Sequence, residues 1–153
     1  MNRVSIGITV LITFTILSCD TEDFSISPMS GVEMSNCYNQ SNWVDTLIRD
    51  ELIGKWQWIY TENNSTLGVG KNKEHLNTYV EFFLDSTLNV TINGVLSSAT
   101  RWAVVEENSE RYGLELESPN SLFNGGILIC DELASFNEFS SEGVTTNFFR
   151  KND

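Results

Sequence analysis

The chain has 153 residues, 41% of them hydrophobic, and a formal net charge of −12. That length is one domain's worth and is enough for a real core, to which Trp43, Trp56, Trp58 and Trp102 contribute. The acidity excludes a basic footprint for nucleic acid and any attraction to anionic lipid headgroups, and it reads first as a means of solubility.

Arg3 precedes an apolar run from Val4 to Leu17, and Ser18-Cys19 closes it. The run falls short of the roughly 20 residues that a membrane-spanning helix needs, but it suits the apolar region of a signal peptide. A small residue before cysteine at the end of such a run resembles a bacterial lipoprotein signal. The resemblance implies removal of residues 1–18 and acylation of Cys19, with two or more chains (palmitate among the candidates) anchoring the protein stably. Residues 19–40 are then expected to form a flexible polar tether, and residues 41–153 the folded domain. Asp20, Glu22 and Asp23 follow the anchor as in surface-export signals of Bacteroidetes lipoproteins, so an outer-membrane protein facing the periplasm or the cell surface is expected.

With Cys19 acylated, Cys37 and Cys130 remain, an even pair in an oxidising compartment. A disulfide between them is one reading and two buried thiols the other.

Ser41 to Ile53 has helical spacing, with Ser41 or Asn42 as cap and Val44, Leu47, Ile48 and Leu52 on one face. Gly54 ends it. From Lys55 the period becomes two, and Trp56, Trp58 and Tyr60 are expected on one strand face. A polar loop should run from Glu62 to about Asn77. Strands follow at Tyr79–Leu84, Leu88–Asn93, Ala99–Glu106 and Arg111–Glu117, with Asn93-Gly94 a tight-turn signal. Pro119 to Gly125 reads as a loop. Gly126–Cys130, Leu133–Phe139 and Val144–Arg150 complete eight strands. Short connections and the lack of crossover helices predict an all-β fold. It should be an eight-stranded antiparallel up-and-down barrel after a short helix, with a β-sandwich as the alternative.

Gly54-Lys55-Trp56, at the junction of helix and first strand, resembles the Gly-x-Trp opening of the lipocalins, and more narrowly the lipocalin-like lipoproteins of Bacteroidetes. The resemblance covers about Ser41 to Lys151. It implies that Gly54, Trp56 and a basic residue of the last strand close the barrel floor, with Arg150 the best match and Lys151 a substitute. It also implies a binding domain for a small apolar or amphipathic ligand. Candidate liners are Trp58, Tyr60, Phe82, Val90, Trp102, Phe136 and Phe148. The alternative function is a structural or interaction module that binds a protein or glycan at the cell envelope.

Catalytic residue types are scarce. His75 is the sole histidine, so a metal centre would have to rely on carboxylates and thiols. Glu115 and Glu117 share a strand face but alternate with Leu114 and Leu116, the pattern of a solvated outer surface. No cofactor, no metal and no enzymatic activity are expected.

Overall fold

The computed structural model describes residues 29–65, 68–73, 75–108 and 111–152. Nine strands form one antiparallel sheet: β1 (Gly54–Ser65), β2 (Gly68–Asn72), β3 (Thr78–Phe82), β4 (Thr87–Ile92), β5 (Val95–Asn108), β6 (Arg111–Leu116), β7 (Gly126–Cys130), β8 (Leu133–Ser140) and β9 (Gly143–Lys151). From β3 to β9 each strand pairs with the next, and β9 pairs back onto β1 from Trp56↔Lys151 to Ser65↔Gly143. That last pairing closes an eight-stranded up-and-down barrel and rules out the sandwich. β2 is an additional strand, laid against the far half of β1. It occupies the expected loop from Glu62 to Asn77. Its glycines and asparagines are poor strand formers, and pairing with β1 overrides their preference.

The helix expected over Ser41–Ile53 is shorter: α2 spans Asp45–Leu52, and neither Ser41 nor Asn42 caps it. Trp43 holds the chain out of the helix by stacking on Tyr38 at 5.4 Å and donating its Nε1 hydrogen to the Tyr38 carbonyl. Ile48 and Leu52 are buried, while Val44 and Leu47 stay exposed.

Two cation–aromatic contacts close the barrel floor, one made by α2 and one made between β9 and β1. The Arg49 guanidinium lies 5.2 Å from the Trp102 ring centroid and donates to the Leu84 carbonyl in the β3–β4 turn. Gly54 enters β1 at φ +121°, a conformation that favours glycine. Trp56 is buried beyond it and donates Nε1–H to the Leu52 carbonyl at 2.8 Å, capping the end of α2. The basic residue over Trp56 is Lys151, at 5.4 Å from the ring centroid, rather than Arg150. Trp56 is opposite Lys151 in the ladder and Arg150 is opposite Gln57, so strand alternation turns Arg150 to the other face. Lys151→Ala is expected to cost about 0.5–1 kcal/mol, the range for a part-exposed cation–aromatic contact. Arg150→Ala should leave the floor intact, as paired urea denaturation curves would show.

A β-bulge at Ile59 changes which residues face inward. Trp58 pairs with Phe149 but Tyr60 pairs with Phe148, so Trp56 and Trp58 face the interior while Tyr60 faces out. The expected common face of the three residues therefore breaks at Ile59. The interior is filled by rings. Phe82 meets Trp102 edge-on at 5.0 Å, and Phe136 meets Phe149 edge-on at 5.6 Å. The last piece comes from the Pro119–Gly125 connection, which makes a single 3-10 turn at Ser121–Phe123. Asn120 Oδ1 accepts from the Leu122 amide, and Asn147 Nδ2 donates to the Ser121 carbonyl. Held at both ends, the turn drives Phe123 among Phe82, Phe136 and Phe149 at centroid distances of 6.0, 5.1 and 5.6 Å.

Candidate functional site: a strapped groove on the outer wall

The expected tether reached Gln40, but Gly31–Tyr38 is a helix, α1, packed against β7. Ser30-Gly31-Val32-Glu33 forms a capping box. The Ser30 Oγ accepts from the Glu33 amide, and the Glu33 carboxylate accepts from the Ser30 amide at 2.7 Å. These bonds hold the Glu33 carboxyl below its ordinary range, the backbone bond contributing most. Met34 and Tyr38, four apart, form its buried face. Cys37 of α1 is bonded to Cys130 at the end of β7, with Cα atoms 5.8 Å apart. Of the two readings of these cysteines, the disulfide is the one observed. Asp131 lies beside them, but both thiols are consumed by the bond, so the trio offers no thiolate to a metal.

The seven candidate ligand-lining residues are all 1–2% exposed. Trp58, Phe82, Val90, Trp102 and Phe136 belong to the packed interior. Tyr60 and Phe148 lie on the outer wall, stacked at 4.5 Å, with the Tyr60 hydroxyl donating to the Met29 carbonyl at 3.4 Å. The set thus divides between two faces of the wall, and neither part lines an open barrel cavity. His75 is exposed and meets the edge of Trp58 at 5.3 Å.

A cavity of about 420 Å³ lies outside the barrel, between α1 and the wall of β1, β9, β8 and β7. Ladder register resolves the strand wall beneath it into rows, the first of which reaches the cavity through Leu128. Tyr60, Phe148, Ser135 and Leu128 form the row nearest the disulfide. The next row is Glu62, Thr146, Asn137 and Gly126, and the outermost is Asn64, Val144 and Phe139. Gly126 has no side chain to fill the space above it. Ser30, Val32 and Ser35 of the α1 segment make the facing side. Phe139, 61% exposed, forms the lip, with the Arg111 guanidinium 5.2 Å above its ring. Among the described residues, the side chains of Glu62, Thr146 and Asn137 make no hydrogen bond within the protein. The Tyr38 hydroxyl at the groove and the Ser135 hydroxyl in the adjoining row are buried and unpartnered. A smaller cavity of about 220 Å³ adjoins the disulfide at Trp43 and Glu51.

The strand residues of the groove escaped the sequence reading because they are the polar, outward half of each alternation. The Ser30-x-x-Glu33 capping signature, which starts the strap, was present and was the signal that could have found its far side.

Burial pushes the Tyr38 hydroxyl up to about 12, with Tyr112 adding to the shift, and burial followed by the Glu62 charge raises Tyr60 as well. In the unfolded chain both would ionise near the ordinary tyrosine value of about 10. Their contribution to stability is therefore complete below that pH and is lost as pH climbs through the folded values. Far-ultraviolet dichroism against pH should show unfolding promoted above about pH 10 in the native protein, and less so in Tyr38→Phe.

No family model, curated protein or solved structure matches the chain. Fold and site define it as a closed antiparallel barrel with a packed interior and a disulfide-strapped outer groove. Among the described residues no helix is long and apolar enough to cross a membrane. Cys19 and the signal segment lie outside the described residues.

Proposed function

We propose that this chain is a lipid-anchored envelope protein of lipocalin-like type, whose barrel is a scaffold and whose binding seat is the outer groove. The groove carries the reading. At about 420 Å³ it has the size of a small-ligand site, and it combines unpaired polar groups with an apolar lip. The filled interior argues against the usual internal cavity of a large-bore barrel. Retention rather than turnover is the function, with a small amphipathic molecule as ligand and the outer membrane as location, through acylated Cys19. The signal-like segment ending at Cys19 and the disulfide, a bond of oxidising compartments, support that address.

Native mass spectrometry of protein taken from its own envelope tests the seat. A bound small molecule should be present and should be missing from Gly126→Leu, where a Cβ has room and the larger side chain fills the groove. A mass adduct that survives Gly126→Leu would place the ligand elsewhere. Cys19→Ser should leave the detergent phase on temperature-induced phase separation. Partitioning equal to the native chain would remove the lipoprotein reading.

A further inference from the structure

We infer that the groove takes a neutral saccharide of about disaccharide size. This rests on the groove being the binding seat and names the class of molecule it selects. The middle row sets a carboxylate (Glu62), a hydroxyl (Thr146) and a planar amide (Asn137) side by side across three strands. Between them these groups accept and donate, which is what the vicinal hydroxyls of a sugar ring require. The next row outward ends in Phe139, whose exposed ring offers a flat apolar face to the C–H side of such a ring. Arg111 lies against that ring and supplies a fork of donors at the same edge.

Other ligand classes fit less well. An acyl chain laid over Glu62 and Asn137 would strip their water and return no hydrogen bond. A phosphate would meet the Glu62 carboxylate, and among the described residues lining the groove Arg111 is the one cation, with the nearby Lys71 ammonium engaged over the Tyr60 ring, so no free surplus of positive charge selects for an anion. Gly126 continues the polar row as bare backbone and leaves space where any side chain would stand. The unpartnered Tyr38 hydroxyl lies at the strap side of the same cavity. Polar floor, aromatic lip and near-neutral lining together describe a seat for an uncharged polyol ring.

The test uses the full-length protein in phospholipid nanodiscs, with empty nanodiscs as the blank. Saturation-transfer NMR is recorded with maltose, cellobiose, lactose and N,N′-diacetylchitobiose, and with dodecanoate as the apolar probe. At least one disaccharide should bind, and Phe139→Ala and Asn137→Ala should each weaken it by about tenfold. Phe139 is mostly exposed, so its truncation leaves the fold in place, and an unchanged melting curve verifies that. Dodecanoate binding that Gly126→Leu abolishes, without saccharide binding, would overturn the sugar assignment and leave the groove as the seat. A disaccharide that binds Gly126→Leu as well as the native protein would overturn the groove itself. Silence from all four sugars overturns the saccharide inference.

Discussion

Phe123→Ala is expected to lower the free energy of unfolding by about 3–5 kcal/mol, the range for deleting a buried aromatic side chain. Phe123 is 1% exposed and meets three other buried rings, Phe82, Phe136 and Phe149. Those rings are fixed on β3, β8 and β9, which the ladder holds in register, so they cannot collapse into the space left behind. A cavity lined by phenylalanine stays dry and accepts a small apolar molecule. Benzene should therefore raise the midpoint of the variant in urea and leave that of the native protein unchanged. A variant that unfolds at the native midpoint would mean that Phe123 does not fill the barrel. The same variant should leave groove binding intact, because plug and groove lie on opposite faces of the wall.

Loss of the Cys37–Cys130 bond should have a comparable effect by another route. The two residues are separated by 93 positions, and closing a loop of that length removes enough unfolded-state entropy to contribute about 4–5 kcal/mol in the chain-entropy model. A Cys37→Ala/Cys130→Ala double variant should show that decrease in chemical denaturation. It should also show faster amide exchange across Gly31–Tyr38, since the buried Met34 and Tyr38, the ring of Trp43 and the Tyr60–Met29 hydrogen bond would then have to hold α1 to the wall. Groove binding should fall with it, because one side of the cavity is the strap. If exchange in α1 stays as slow as in the native protein, packing alone secures the strap and the bond acts only on the unfolded chain.

The barrel was legible because alternation is strict where one face is buried. Leu88, Val90 and Ile92 alternate with polar neighbours, and Asn93-Gly94 supplies the turn that sets their register with β5. Cys37 and Cys130 were legible as a possible pair from number and compartment. The groove was not. Its position depends on the Ile59 bulge, one extra residue that inverts the alternation and so turns Tyr60, Glu62 and Asn64 to the outer face, and no residue type announces a bulge at that place. Lys151, the substitute, displaces Arg150 over Trp56 for the same reason: a one-residue difference in register decides which cation faces the indole. α1 was hidden by its setting, since an eight-residue capped helix in a polar stretch has too little periodicity to stand out.

β2 ends the strand order with β1 as its partner on one side and, among the described residues, no strand on the other. A closed barrel otherwise abolishes such edges, so this hairpin arm gives the sheet one margin that another chain could extend. Where copies of the chain are crowded together, encounters between such margins are frequent and side-by-side strand addition is a real hazard. The arm carries its own safeguards: five residues of length, two of them glycine, and the charge of Lys71. Lengthening β2 or replacing Lys71 with an apolar residue would remove them, and association between crowded copies is where the loss would be felt first.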